Sequence, residues 1–278
     1  MSQPSEHGCW RSLSPARKFV ADMLHFAKQV PSIPVARTMN VAAVAAARAA
    51  CSERPSWTSV FMKAYGLVCQ RHSPLRSALI SWPWDHVYEH PLSVCGAVVE
   101  REHLGEQILL GVQIRAPEGK PLREIDDYLR RVKETPVEQI GYFRRVFFMG
   151  KLPKWLRRFL WWQTLHLSGY KRAKRLGTFG LSSYGRLGAE QIHPLGPLTT
   201  LLTFGPIGST GEVVVKIVYD HRVLDGAEVA RYLAELEHVL HQEIVAELRQ
   251  TTCAAASAEP RETAGAIAPG RHVGQDAA

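Results

Sequence analysis

Asp220-His221-Arg222-Val223-Leu224-Asp225-Gly226 joins two unlike stretches of the chain. Before it, Val213–Tyr219 is a short, apolar, β-branched run, the pattern of a buried strand. After it, Val229, Leu233, Leu236, Leu240, Ile244 and Leu248 recur every three or four positions. That spacing gives one core-facing stripe on a helix from Ala227 to about Gln250. The heptapeptide is therefore the turn from a buried strand into a long helix. A histidine placed there stands at the rim of a sheet, where a ligand can reach it. Its ordinary pKa near ~6.5 suits proton transfer at neutral pH. Asp225, four positions on, can hold the loop, and Gly226 can form the turn. Glu228 lies three residues after Asp225, the spacing of a helix capping box. Local chemistry thus leaves two readings for each residue. His221 is a catalyst or a structural strand-end residue; Asp225 is a loop organiser or a helix cap.

Outward from this turn the chain alternates helix and strand. Ser14 and Pro15 open a helix through about Gln29, which Pro31 and Pro34 end. Val35–Val41 reads as a strand, 42–51 as an alanine-rich helix and Ser59–Arg71 as a helix. Segments 93–101 and 107–115 read as paired strands with Gly105 in the turn. Pro121–Lys133 reads as an amphipathic helix. Leu198–Phe204 reads as a buried strand, and Gly208–Gly211 turns it into Val213–Tyr219. This interleaving predicts one layered α/β domain over 14–250. A loose stretch, 1–13, precedes it. A flexible tail is expected over 251–278, which holds nine alanines and no aromatic residue.

Two motifs carry a resemblance. Asp220–Gly226 resembles the D-H-R-x-x-D-G signature of the dihydrolipoamide acyltransferase catalytic domain, the core component of 2-oxo-acid dehydrogenase complexes. Gly177-Thr178-Phe179-Gly180-Leu181-Ser182-Ser183-Tyr184-Gly185 resembles the same family's G-T-F-x-I-S-N-L-G segment. The Arg17–Lys28 helix, the Val94–Val99 and Ile108–Ile114 strands and the Leu122–Val132 helix follow the family's order at the level of pattern. The resemblance covers roughly 15–245. It implies a two-layer α/β sandwich with a mixed sheet, the fold shared with chloramphenicol acetyltransferase. It also implies acyl transfer between a coenzyme A or lipoyl thioester and an acceptor. His221 would be the general base and Ser182 the oxyanion donor, with Ser183 beside it as competitor. Asp225 would hold the loop through a salt bridge to Arg17, or to Arg222 as the local competitor. Coenzyme A enters as co-substrate, and neither a tightly bound cofactor nor a metal is expected. The family's site lies between subunits, so a homotrimer is expected.

The chain also departs from that family. Its catalytic-like segment begins near residue 15, so neither lipoyl nor subunit-binding modules are expected ahead of it. A free-standing acyltransferase is therefore expected. The alternatives are a non-catalytic membrane-associated or assembly protein that kept the fold, and a complex core served by another chain's lipoyl domain. The family's N-P-P segment becomes Ile192-His193-Pro194-Leu195-Gly196-Pro197, where His193 reads first as a loop histidine and second as a residue that reaches the site.

Charge singles out one further segment. The 278 residues carry 34 Lys plus Arg against 26 Asp plus Glu, a net +8. Ten of the basic residues and none of the acidic ones fall in an insertion at 141–176, so the rest of the chain is near neutral. The same stretch holds nine of the 24 aromatics. On a helical wheel of Lys154–Leu167, Trp155, Phe159 and Trp162 share one face with Leu156, Leu160 and Leu167. Lys154, Arg157 and Arg158 share the other, with Trp161 and Leu165 intruding. Basic on one side and aromatic on the other is the pattern of an interfacial helix. Packing against the protein competes with a membrane surface for this helix. Nucleic acid ranks last, because no known nucleic-acid module accompanies it. No apolar run approaches the ~18 residues of a membrane span, and the N-terminus lacks a signal-peptide core. The expected place is the cytoplasm, with peripheral contact at the inner face of the membrane. Five scattered cysteines without a C-x-x-C pair read as reduced thiols.

Overall fold

The computed structural model describes residues 9–258. In chain order the elements are α1 (Pro15–Ala27), β1 (Ser32–Asn40), α2 (Ala42–Ala49), α3 (Trp57–Arg71), β2 (Ser77–Ile80), β3 (His86–Glu89), β4 (Val94–His103) and β5 (Glu106–Arg115). They continue with α4 (Leu122–Glu134), α5 (Gly141–Lys151), α6 (Lys154–His166), α7 (Gly169–Leu176), β6 (Phe179–Ser182), β7 (Thr200–Phe204), β8 (Glu212–Asp220), α8 (Gly226–Val239) and α9 (Val245–Ala258). Six strands form one mixed sheet in the order β1-β8-β7-β6-β4-β5, and β2 and β3 form a separate hairpin. β6 runs parallel to both of its neighbours; the remaining pairs are antiparallel. The expected two-layer sandwich with a mixed sheet is what the chain forms.

Alternation along the strands separates the two faces of the sheet. Val213, Val215 and Ile217 of β8 point into the core with Leu181 and Leu202. Helices α3 and α8 cover that face. Phe61 of α3 stacks on Phe204, with ring centroids 4.2 Å apart, and Tyr65 meets Phe179 edge-on at 4.9 Å. Val229, Leu233 and Leu236 of α8 are buried, as the stripe in the sequence requires. The opposite face carries the polar row discussed below.

Helix starts follow local chemistry. Ser14 Oγ accepts from Arg17 N at 3.2 Å with Pro15 in the first turn, as expected. The last helix is less regular than its stripe suggests. Leu240–Ile244 is a π-helical turn, after which α9 continues to Ala258. Residues 251–258, expected in a flexible tail, are thus helical; 259–278 lie outside the described residues, as do 1–8. No helix of the described residues is long and apolar enough to cross a membrane.

The insertion forms three helices, of which α5 and α6 pack against α1 and α7 against β2 and β4; the sequence pattern did not mark α5 and α7. α5 and α1 meet so closely that a Cβ on Gly150 would come within 2.3 Å of the Pro15 carbonyl. Trp161 of α6 lies on Phe19 and Phe26 of α1, at 5.1 and 6.4 Å between centroids. Arg157 forms a buried ion pair with Asp22 of α1. Arg157 therefore faces inward, contrary to its expected role at a membrane or partner. The reason lies on another element, since Asp22 is a buried carboxylate that needs a cation. Arg158 leans towards the same carboxylate at 3.7 Å while staying half-exposed. Trp155 and Phe159 remain on the outside, 72% and 52% exposed, and Trp162 is half-buried.

Candidate active site

Strand β8 ends at Asp220, whose register partner is Ser32 at the start of β1. A tight turn follows, because Val223 N and Leu224 N both donate to the Asp220 carbonyl, at 3.0 and 3.1 Å. His221 N donates to Pro31 O at 3.1 Å, which pins the backbone of the turn to the segment entering β1. The ring is pinned too. His221 Nδ1 lies 3.0 Å from Leu224 O. A carbonyl can only accept, so Nδ1 carries the hydrogen and Nε2 keeps its lone pair. Tyr219 meets the ring edge-on at 5.6 Å. The Asp225 carboxylate is 3.6 Å from Nδ1, too far for a hydrogen bond.

Asp225 is mainly a helix cap. Its N–H donates to Glu228 Oε2 at 3.2 Å, and its carbonyl accepts from Glu228 N and Val229 N. Its own carboxylate is 80% exposed, and neither arginine expected to bind it does so. Arg17 donates through Nε to Glu106 at 2.9 Å and through Nη2 to Gln107 O at 3.2 Å. These partners lie at the β5 edge of the sheet, remote from β8, so helix α1 carries Arg17 to the nearest acid there. Arg222 instead clamps Asp220 with Nε–Oδ1 at 2.9 Å and Nη2–Oδ2 at 2.7 Å. This bond raises the Arg222 pKa, and it satisfies a carboxylate that is almost wholly buried. Gly226 leaves room for Tyr219, because a Cβ there would lie 3.1 Å from the phenol oxygen.

A buried cation behind the turn escaped the sequence reading. Arg172 of α7 donates to Leu79 O at 2.8 Å and Pro197 O at 2.6 Å. Burial pulls its pKa down to about 10, with the charge of Asp220 opposing that fall. Arg172 thus ties the insertion to the loop entering β7, beside the His221 turn. His193 reaches this end of the sheet as well. Its Nε2 is 2.9 Å from the Oγ of Ser32, the register partner of Asp220.

The serine motif lies elsewhere. Gly177 adopts φ +101° between α7 and β6, a conformation that favours glycine. Thr178 then bonds β4 three times: its N–H and its Oγ donate to Val94 O at 2.7 and 3.2 Å, and its Oγ accepts from Val94 N at 2.9 Å. These contacts dock β6 beside β4 and place Ser182 at the strand's far end. Ser183 is committed to the turn. Its Oγ donates to Phe204 O at 2.8 Å and accepts from Gly185 N at 3.2 Å. Ser182 makes no such hydroxyl bond to another described residue, so it is the free hydroxyl of the pair. It points away from the core and shares a cross-strand row with Thr203 and Lys216. Lys216 pairs with Glu190, and Thr203 Oγ donates to Gln191 at 3.3 Å. Polar residues inside the apolar runs of β7 and β8 were the overlooked signal for this row.

Ser182 and His221 are not together within one chain. Ser182 is level with Lys216, five residues before His221, and two strands away. At about 3.3 Å per residue, that is roughly 16 Å along the strands and about 10 Å across them.

No family model and no curated protein sequence matches this chain. Solved structures do. A probable dihydrolipoamide acetyltransferase from Listeria monocytogenes superposes with a TM-score of 0.62 at 16% identity, over 84% of this chain and 95% of that one. The Azotobacter vinelandii dihydrolipoamide acetyltransferase gives 0.61 at 17% identity, over 88% and 96%. A truncated catalytic core of the 2-oxoacid dehydrogenase multienzyme complex from Thermoplasma acidophilum gives 0.62 at 14% identity, over 84% and 99%. At these identities the likeness concerns architecture, and the chain has the fold of the dihydrolipoamide acetyltransferase catalytic core.

Proposed function

We propose that this protein is an acyltransferase that moves an acyl group between a coenzyme A or lipoyl thioester and an acceptor. The observation that carries this reading is the His221 ring, whose Nδ1–H is spent on Leu224 O so that Nε2 is left as a base. In the proposed reaction Nε2 removes the proton from the acceptor's thiol or hydroxyl, and the freed nucleophile attacks the thioester carbonyl carbon. The oxyanion so formed accepts a hydrogen bond from Ser182 Oγ, a contact expected to contribute about 3 kcal/mol. Collapse of the tetrahedral intermediate breaks the carbon–sulfur bond. The departing thiolate takes the proton back from Nε2.

The separation of Ser182 from His221 gives this reading its oligomeric form. The site is built between copies of the chain, with His221 from one and Ser182 from the next, in a homotrimer. The fold likeness supports this reading. So does the Azotobacter relative, in which a serine, a histidine and an asparagine four positions after that histidine were investigated for catalytic roles. Here Asp225 holds the corresponding spacing after His221.

The test is release of free coenzyme A from a panel of acyl-coenzyme A thioesters in the presence of a small thiol. Wild type is expected to accelerate release and His221→Ala to abolish it, with the fold intact by circular dichroism. A wild type inert towards the whole panel, or a fully active His221→Ala, removes the reading.

A further inference from the structure

The helix predicted as interfacial is mounted in an unexpected way. Its inward side is Arg157, Trp161, Thr164 and Leu165; Arg157 is paired with Asp22 of α1, and Trp161 packs on Phe19 and Phe26 of α1. The aromatic side faces out. Trp155 and Phe159 are one turn apart on α6 and exposed, and Phe159 stacks on Trp162 at 6.3 Å. Trp162 in turn meets Trp82 at 6.3 Å, and Trp82 is 54% exposed. Trp82 is held there by its own N–H, which donates to the carbonyl of His166 at the end of α6. These four aromatics make a continuous outward ridge from two separate segments of chain. Monomeric proteins seldom leave a contiguous apolar surface of this kind without a use for it.

The surrounding charge has one sign along α6. Lys151 and Lys154 are exposed next to Trp155, and Arg158 is half-exposed beside it. Asp22, the acid beneath the helix, is buried and already bound to Arg157 and Arg158. The acid at the far end of the ridge is Asp85, exposed beyond Trp82 and close enough to Arg222 to raise its pKa. Tryptophan and phenylalanine edged by lysine and arginine match the headgroup layer of an anionic bilayer, where aromatic rings settle at the interface and cations meet lipid phosphates. A second copy of the chain would bring an equally cationic insertion. That mismatch favours lipid over self-association.

We propose that the Trp155–Phe159–Trp162–Trp82 ridge docks the protein on the surface of an anionic lipid bilayer. The end of α6 approaches the neighbour of His221, because Leu165 and His166 line one small pocket with Arg172, Pro197 and Arg222. Docking therefore brings the His221 end of the sheet towards the lipid. Lipid binding does not rest on the acyl-transfer reading, and the two fail separately.

The test is co-sedimentation of the full chain with phosphatidylcholine vesicles, with and without phosphatidylglycerol. Wild type is expected to pellet with the anionic vesicles, to release them as salt rises, and to ignore pure phosphatidylcholine. Trp155→Ala with Phe159→Ala is expected to lower the partition by at least about tenfold while eluting at the wild-type oligomeric size. Both side chains are on the outside, so the double variant keeps its core. Three outcomes overturn the proposal. They are a wild type that does not pellet, a double variant that pellets equally well, and a double variant that falls apart into monomers, which would make the ridge a contact between copies.

Discussion

Ser182 ends β6 level with Lys216 in the middle of β8, whereas His221 lies just past the end of β8, because β6 runs parallel and β8 antiparallel to the β7 between them. Ser182 is level with Thr203 and Lys216, whereas the β8 end that leads to His221 is level with Ser32. No side-chain rotation closes a gap of about 16 Å along the strands. A site that uses both residues must draw them from two copies. Co-expressed Ser182→Ala and His221→Ala chains should therefore complement each other. In a mixed trimer one interface pairs the intact histidine of one variant with the intact serine of the other, which restores about one site in three. Thioester cleavage by the purified mixed oligomer is the measurement. Activity no greater than that of the separate variants would place both residues in one subunit's site, or one of them outside it.

The adjacent serines separate by function. Ser183 Oγ is bound to Phe204 O and Gly185 N, and Ser182 Oγ is free for an oxyanion. Ser182→Ala is expected to lower kcat by about 10²–10³-fold with little change in melting temperature. Ser183→Ala is expected to retain kcat to within a few-fold and to lose about 1 kcal/mol of stability. Steady-state kinetics and thermal melts on both variants distinguish the two.

The buried Arg157–Asp22 pair fixes α6 on α1. Arg157→Ala leaves the Asp22 carboxylate buried without its main partner, and a loss of about 3–5 kcal/mol is expected. Replacing both residues with apolar side chains of similar size, Asp22→Leu with Arg157→Met, should recover most of that loss. Urea unfolding of the single and double variants measures it. A double variant as unstable as the single one would refute this account.

Asp126 links α4 to the start of α3 and gives stability a dependence on pH. Burial alone would raise its pKa, but hydrogen bonds from Ser59 Oγ at 2.7 Å and Ser56 N at 2.8 Å, with Arg130 nearby, hold it below the ordinary 3.8. A carboxyl depressed in the folded state adds stability above its unfolded pKa, and that stability is lost as pH falls through the folded value. Asp126→Ala should thus cost about 1–3 kcal/mol at pH 7. The gap from wild type should narrow as acid protonates the carboxyl. Denaturant unfolding from pH 7 down to pH 3 tests this, and a gap that stays constant with pH contradicts it.

Much of the fold was legible because its signals are local. The β-branched run of β8, the stripe on α8 and α9, the Ser14 cap and the Gly105 turn each depend on neighbours within a few positions. The same holds for the junction at Asp220–Gly226 and for the spacing of Asp225 and Glu228. The short helices α5 and α7 were not legible. Their buried positions, Phe143, Val146 and Gly150 on α5 and Gly169, Arg172 and Ala173 on α7, fall at helical spacing but mix glycine and arginine with apolar residues, so they do not read as apolar stripes. The polar row through Ser182, Thr203 and Lys216 was overlooked for a related reason, because it exists only once three strands are in register.

By itself, the sequence determined that a buried strand turns into a long helix at a histidine, and that this body is layered α/β. Periodicity and capping are properties of consecutive residues, and they survive without knowledge of what lies opposite. Tertiary structure alone decided the pairings. It sent Arg17 to Glu106 and Arg157 to Asp22, and it folded Arg222 back onto Asp220 two residues away, because a charge is satisfied by whichever opposite charge the fold brings near, at any separation in sequence. The same long-range packing turned the aromatic face of α6 outward and put Ser182 beyond the reach of its own chain's His221.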